Sequence, residues 1–338
     1  MPDIICLGEA LVDMVSTAHG LNLVQSPGFE KAAGGAPTNV AAGCAILGAE
    51  AGLIARVGQD SFGEFLRQTL FDAGVDLECF RLDPDYATQL AFVALDDHGV
   101  PEFAFHVKQS ADQMLNLSDA DMEYIAAGSI FHFGSITLIN EPARTATLTA
   151  LRHALDEGLL ISLDPNLRPP LWRSLDDAYE AIHEVISQCD FLKVSEEEMT
   201  FLTGIEDLDQ GIQALWELGP AVVAVTRGPA GCSVCNGDFV FDLPAFRVPV
   251  LDTTGCGDAF VAATLVQVLE SGEDITDLDE AALRDTFRFA NATAALTATA
   301  PGAIPGLPGR DEVAELLELG ERPELDEEDA AQSSAEES

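Results

Sequence analysis

Apolar and polar positions along this chain keep switching between a strand rhythm and a helix rhythm. Short apolar or β-branched runs predict strands over 4–7, 52–57, 130–133, 159–163, 191–194 and 221–225. Between them, apolar residues at helical spacing predict helices over 38–47, 62–72, 142–155, 175–187 and 210–218, the first with Pro37 near its first turn. Residues 90–95 and 102–107 read as a hairpin around Asp97-His98-Gly99, and 232–235 and 239–243 as two short strands around Asn236-Gly237. Residues 246–251 read as a strand or an extended approach, and helices over 259–269, 280–297 and 312–319 close the pattern. Apolar strands alternating with helices predict an α/β fold, a doubly wound and mainly parallel sheet flanked by helices. No internal repeat is visible.

Two stretches break the rhythm. Residues 11–31 and about 88–108 show β-like alternation outside the winding and read as insertions. At the other end, 321–338 is acidic and aperiodic and is expected to be disordered, leaving 1–320 as a single domain.

With 338 residues, 47% of them hydrophobic, the chain can bury a large core. Its apolar runs are interrupted well before bilayer length. Met1-Pro-Asp-Ile-Ile-Cys6 leads straight into a strand with no targeting leader, so a cytoplasmic location is expected. Seven scattered cysteines, an odd number, suit reduced thiols. Cys232-Ser-Val-Cys235 has no second pair and the six histidines no ligand spacing, which argues against a zinc site. The charge is extreme, 58 acids against 16 bases, net −42. Such a surface repels phosphate backbones, so nucleic acid is excluded as a partner. It suits a protein kept soluble in a salt-rich cytoplasm and predicts a fold that loosens when salt is removed.

The chemistry concentrates in Asp252-Thr-Thr-Gly-Cys-Gly-Asp258, just before the apolar helix. A glycine-flanked turn feeding a helix leaves backbone N–H groups unpaired, and with the helix dipole they form an anion site. Asp258 at its lip can take a proton from an attacking hydroxyl, which is the minimum equipment for phosphoryl transfer to an alcohol. Taken alone, the segment also reads as an aspartate N-cap on an ordinary helix. Near the N-terminus stand Gly34-Gly-Ala-Pro-Thr-Asn39 and Val57-Gly-Gln-Asp-Ser-Phe-Gly63.

Together these segments resemble the paired signatures of the PfkB, or ribokinase, family of carbohydrate kinases, from about Asp3 to Glu318. Asp164-Pro-Asn166-Leu-Arg168, Phe131-His-Phe-Gly-Ser135 and Ser110-Ala-Asp-Gln-Met-Leu115 resemble its fructokinase-like branch. The resemblance implies a ribokinase-like fold whose two insertions form a small β-sheet lid over the sugar, excluding water. It implies an ATP-dependent sugar kinase that phosphorylates the 6-hydroxyl of fructose. Kinases for 2-keto-3-deoxygluconate, ribose or a nucleoside stand as alternatives within the family, and a non-catalytic sugar- or nucleotide-binding regulator outside it. Other nucleotide motifs are missing: no lysine has Walker context, Phe260 replaces the third glycine of a dinucleotide fingerprint, and protein-kinase motifs are absent.

By resemblance, Asp258 is the base and the backbone of Gly255, Cys256 and Gly257 the anion hole. Alanine usually stands where this chain has Cys256, and a thiol there implies sensitivity to oxidation or alkylation. Asp13, in the loop after the first strand, Gly34, Gly35, Asn39, Asn166 and Arg168 are implied sugar contacts. For Arg168, a phosphate contact or a salt bridge with nearby acids are equal alternatives. Lys108 falls where related enzymes carry a lid arginine. Lys193 and Glu196 match the magnesium- and phosphate-linked motif, with Glu196 orienting metal-bound water and Lys193 acting on phosphate as a point charge. Acids in a helix's first turn are the plainer reading of Glu196. Thr226 and Gly228 resemble a nucleotide-phosphate turn, Asn291, Ala294 and Gly302 the adenine region, and Asp252 and Thr254 a potassium site. The implied partners are a sugar and MgATP, with K+ as a further ion and a homodimer through the lid.

Overall fold

The computed structural model describes residues 1–18, 20–95, 101–106 and 109–320. The turn at Asp97-His98-Gly99, Lys108 and the tail 321–338 lie outside the described residues.

Nine strands form the large sheet. In chain order the strands of the molecule are β1 (Ile4–Leu7), β2 (Leu11–Ser16), β3 (Phe29–Gly34), β4 (Ala51–Gly58), β5 (Phe80–Asp83), β6 (Gln89–Leu95), β7 (Pro101–Phe105), β8 (Ile130–Phe133), β9 (Leu160–Leu163), β10 (Phe191–Ser195), β11 (Val222–Thr226), β12 (Cys232–Cys235) and β13 (Val240–Leu243). The large sheet runs β13-β12-β11-β10-β9-β8-β1-β4-β5, with every pair parallel except β11–β12 and β12–β13, which are antiparallel because β12 runs against the rest. From β1 the chain winds outward through β4 and β5, then returns to the other side through β8. The order therefore reverses at β1/β8, where α/β sheets open a crevice at their carboxyl ends.

The helices are α1 (Ala36–Ile46), α2 (Ser61–Asp72), α3 (Asp119–Ala126), α4 (Ala143–Asp156), α5 (Leu175–Ile186), α6 (Glu196–Thr203), α7 (Leu208–Glu217), α8 (Cys256–Ser271), α9 (Glu280–Thr297), α10 (Ala303–Gly306) and α11 (Arg310–Gly320). The pleat assigns them to two faces. Ile4 and Cys6 of β1 join the core with Val40 of α1, Val261 of α8 and Phe287 of α9. Ile5 and Leu7 join the core with Leu151 of α4 and Ile182 of α5. A sheet covered on both faces explains why its strands read as unbroken apolar runs.

The small sheet runs β3-β2-β6-β7. It takes two strands from each stretch outside the winding; β2–β3 and β6–β7 are antiparallel, and the β2–β6 join is parallel.

Several elements differ from expectation. Residues 246–251 form no strand and approach α8 as irregular chain. The edge strand β5 is four residues of mixed polarity, too short to show a period. Helices α3 and α6 span eight residues each, marked chiefly by their capping boxes, Ser118 with Asp121 and Ser195 with Glu198. The last long helix of the anion turn begins at Cys256, and its N-cap is Gly255, not Asp258.

Candidate active site

Asp258 is the third residue of α8 and only 7% exposed. Each of its carboxylate oxygens meets an asparagine amide. Asn39 of α1 donates from Nδ2 to Oδ2 at 2.8 Å, and Asn166, in the loop after β9, donates from Nδ2 to Oδ1 at 3.1 Å. Burial first, then the Asp164 charge, pushes the Asp258 carboxyl up to about 6, while Asn39, Lys193 and Arg168 pull the other way. The group is thus ionised at neutral pH yet far more basic than an ordinary aspartate, as a general base should be.

The turn ahead of it is open to an anion. Gly255, at φ 81°, caps α8 with no side-chain bond. The amides of Gly255, Gly257 and Asp258 donate to no protein acceptor among the described residues. Cys256 differs from expectation, because its N–H turns back toward the Thr253 carbonyl at 3.3 Å. Its thiol also departs from the reactive reading: burial, then Asp252 and Asp258, push it up to about 12, which leaves almost no thiolate at neutral pH.

Lys193 is 5% exposed and donates from Nζ to Asp164 Oδ2 at 2.8 Å. A methyl group on Gly257 would lie 2.9 Å from that Nζ, so the ammonium sits directly beneath the anion turn. Burial alone would push Lys193 down, but Asp164 foremost, with Glu198 and Asp258, holds it above its usual value.

Asp13 is not in a loop. It lies within β2, paired with Ala32 and Ala91 of the small sheet, which carries it to the crevice. Its carboxylate lies across Gly34, where any Cβ would overlap Oδ2, and Gly35 adopts φ 108° with its Cα against the Glu9 carbonyl. Burial, opposed by Arg168, pushes Asp13 up to about 7, with Asp258 and Asp252 adding to the rise. Arg168 makes no ion pair among the described residues; it donates from Nη1 to the Leu167 carbonyl at 3.2 Å, and its charge acts on Asp13 and Asp258 without being tied to either.

Glu196 opens α6 and is exposed, while its neighbour Glu198 closes the capping box and accepts from the Leu167 N–H at 2.6 Å. Thr226 ends β11 with its hydroxyl on the Val194 carbonyl, and Gly228 follows at φ 53°. Asn291 is spent largely on structure: Nδ2 reaches the Leu243 and Pro244 carbonyls, both at 3.4 Å, which leaves it no free amide N–H for an adenine. Gly302 is likewise tied inward, donating to Asp252 Oδ2 at 2.8 Å. Asp252 Oδ1 takes the Thr254 N–H and hydroxyl, so this carboxylate joins the turn before α8 to the loop after α9.

Three buried polar groups lacked a role in the sequence. Glu9 Oε2, Asp112 Oδ1 and Ser135 Oγ are buried without a protein partner, as is Asn39 Oδ1. Burial pushes Glu9 up to about 8 and Asp112 up to about 6, and the Asp112 charge adds to the rise in Glu9. Asp112 lines a small cavity with Leu11, Gln89, Phe105 and Gln113 at the base of the small sheet. Asn39, Asp112 and Ser135 belong to motifs quoted above and Glu9 follows the first strand, but no spacing rule tells an inward carboxylate from a turn residue.

The pfkB family carbohydrate kinase profile matches residues 1–310. The chain belongs to that family. It is 42% identical over 316 residues to Fructokinase-1 of Zea mays, covering 93% of this chain and 97% of the relative. Among solved structures, a double mutant of Vibrio cholerae O395 fructokinase in its fructose-, ADP- and potassium-ion-bound form superposes with a TM-score of 0.83. It shares 32% identity and covers 94% of this chain and 98% of that one. The ATP-bound fructokinase of Xylella fastidiosa gives 0.84 at 30% identity, covering 95% and 100%. As a pfkB kinase, the chain has a ribokinase-like fold in which the small sheet is the lid.

Proposed function

We propose that this kinase transfers the γ-phosphoryl group of ATP to the 6-hydroxyl of fructose. The observation that carries the reading is Asp258: a buried, basic carboxylate with both oxygens fixed, at the mouth of an uncapped helix N-terminus, in a chain close to fructokinases. In the reaction, Asp258 takes the hydroxyl proton as the oxygen attacks phosphorus. The free amides of Gly255 and Gly257 and the Lys193 charge beneath them stabilise the negative charge on the transferring group. Asp13, Gly34, Gly35, Asn39, Asn166 and Arg168 hold the sugar. Asn39 Oδ1 and the other orphaned oxygens at the crevice fit a polyol, whose hydroxyls can satisfy them.

The nucleotide sits toward β10 and β11, against Lys193, Thr226 and Gly228, with Asn291 and Gly302 shaping the adenine end rather than binding it through side-chain N–H groups. Among the described residues no three acidic, histidine or cysteine side chains cluster to hold a metal. The exposed Glu196 fits a divalent ion carried on ATP's own phosphates and reached through water. That ion neutralises phosphate charge. Asp252 and Thr254, already bridging two loops, fit a potassium ion, and the Vibrio relative's bound potassium supports this.

No helix of the described residues is long and apolar enough to cross a membrane. All seven cysteines are free, which supports a reducing, cytoplasmic location. Residues 1–320 act as one kinase unit with the lid, and the lid's open edges support a homodimer. The test is coupled ADP release at molar KCl with MgATP, screening fructose, glucose, ribose, 2-keto-3-deoxygluconate and adenosine. Turnover with fructose, abolished by Asp258→Asn, is expected. Turnover only with another acceptor would overturn the substrate, and sugar binding without any turnover would favour a non-catalytic regulator.

A further inference from the structure

Behind the base lies a buried ion pair of which only the Lys193 half has a part in the transfer step. Lys193, on β10, and Asp164, just past the end of β9, have side chains only 7% and 1% exposed. Removing two charges from water seldom gains stability, so such a pair is better explained by what it orients. Asp164 turns its other contacts on Asn166. Oδ1 accepts the Asn166 N–H at 3.2 Å, and Oδ2 accepts Asn166 Nδ2 at 3.4 Å. Asn166 is the one described non-glycine residue with positive φ, 47°. A side chain in that region persists only where its surroundings hold it, and such residues gather at functional sites. Asn166 is held at both ends, by Asp164 and by Asp258 Oδ1 at 3.1 Å. Lys193 meanwhile touches the other side of the same helix turn, beneath Gly257.

We propose that the Lys193–Asp164 pair is the positioning device of the base: it locks Asn166 into the left-handed conformation that presents Nδ2 to Asp258, and it balances the charge the base faces. The proposal rests on the reading of Asp258 as the base. It makes Asp164 a positioning residue and gives Lys193 a task beyond phosphate. The charged and titratable groups around Asp258 are Asp164 and Arg168 from the β9 loop, Lys193 from β10, Asp13 from β2, Asp252 before α8 and Cys256 on α8. His132 of β8 lies behind the pair, bonded to Ser162 through Nδ1 at 2.9 Å, and burial pushes it down to about 4, so it is neutral at working pH. Asp164 raises the Asp258 carboxyl and Lys193 lowers it. The two halves of the pair therefore act on the base in opposite directions.

That opposition is the test. Asp164→Asn, Lys193→Met, the double variant and Asn166→Gly are compared with wild type. One readout is the pH profile of kcat/KM. The other, independent of turnover, is infrared titration of the Asp258 carboxyl, isolated by subtracting the spectrum of Asp258→Asn in each background. The midpoint is expected to fall in Asp164→Asn and rise in Lys193→Met, each by about one pH unit. The uncharged double variant should return close to wild type. Asn166→Gly keeps the backbone conformation and removes only the amide, so it should lower kcat about tenfold to a hundredfold while KM for ATP holds. Midpoints that stay put, or move the same way in both single variants, overturn the proposal. Should the single variants fail to fold, the double variant decides: wild-type kcat, or a loss that Asn166→Gly multiplies in full when added, overturns the proposal, and a tenfold or greater loss at an unchanged melting temperature to which Asn166→Gly adds nothing supports it. Opposite infrared shifts in a protein that phosphorylates no sugar would uphold the coupling and sink the kinase reading alone.

Discussion

Asn39 and Asp258 lie 219 residues apart, yet their side chains meet at 2.8 Å because the helices that carry them touch one turn further on. Asn39 leads to Gly43 along α1, and Asp258 to Ala262 along α8. A Cβ on Gly43 would come within 2.7 Å of Ala262 Cβ. The bare glycine therefore sets how closely the two helices approach at the level of the base. Gly43→Val is expected to wedge them apart, at a stability cost of about 1–3 kcal/mol, and to lower kcat about tenfold or more by misplacing the base. Steady-state kinetics beside thermal melting check this. A lower melting temperature with kcat intact would show that the contact serves stability only.

The raised Asp258 carboxyl fixes the pH response. The base works only when ionised, and its carboxyl sits at about 6. Activity should thus hold on the alkaline side and fall as pH drops through about 6, rather than through the ordinary aspartate range. Asp258→Asn should cost about 10²–10⁴ in kcat while ATP binding survives. A wild-type acid limb near pH 4 would refute the buried, desolvated base.

Much of this was legible in the chain. The winding shows because buried parallel strands must be apolar throughout, so 4–7, 130–133 and 221–225 announce themselves. Short elements escaped for the same reason: β5, α3 and α6 are too brief for a period, although Ser118 and Ser195 with their acidic partners three residues on were readable capping boxes. The glycine motifs pointed to the residues of the site. Their pairing was not legible, because periodicity reports which face of an element is buried and not what meets it. Nothing local to Asn166 says that it is left-handed, or that Asp164 binds Lys193 rather than a sugar. Nor does the order Gly255-Cys256-Gly257 reveal that the middle amide turns away.

Glu9 is 2% exposed, bonded through Oε1 to the Ala36 N–H at 2.9 Å, with Oε2 unpartnered. Burial raises it from 4.5 to about 8. A carboxyl raised on folding contributes stability fully below its unfolded value and loses it as pH climbs through the folded one. Between pH 4.5 and 8 the wild type should therefore lose stability from this group. Glu9→Gln keeps the Oε1 acceptor without the charge, so it should match wild type near pH 4 and exceed it above pH 8, by roughly 3–5 kcal/mol. Chemical denaturation across that range is the measurement, and parallel curves would show that Glu9 does not titrate as its burial requires.

The lid strand β6 is anchored by one threonine. Thr88 Oγ1 donates to Asp60 Oδ1 at 2.8 Å and accepts the Gly58 N–H at 3.0 Å, while its own N–H reaches Asp60 Oδ2 at 2.9 Å. Asp60 is also the N-cap of α2, so the 57–63 motif ties the large sheet to the start of the lid. Thr88→Val keeps the shape and removes the hydroxyl, leaving the buried Gly58 amide without its partner while Asp60 keeps its other donors, at about 1–3 kcal/mol. Looser lid seating should raise KM for the sugar severalfold and increase ATP hydrolysis without sugar, since closure excludes water. Unchanged sugar KM and unchanged hydrolysis would place the anchor outside lid function.

With 58 acids and 16 bases, most carboxylates cannot have a cationic partner of their own. Their mutual repulsion reaches about 10 Å at 0.1 M salt and about 3 Å at 1 M. The folded chain concentrates that charge more than the unfolded one, so screening should favour folding. The melting temperature is expected to rise from millimolar to molar KCl, and NaCl at equal strength should match it, because screening does not distinguish the two cations. Activity, by contrast, should prefer KCl if Asp252 and Thr254 hold potassium. A melting temperature indifferent to chloride but raised by sulfate would indicate salting-out of apolar surface instead, and the acidic surface would then need another explanation.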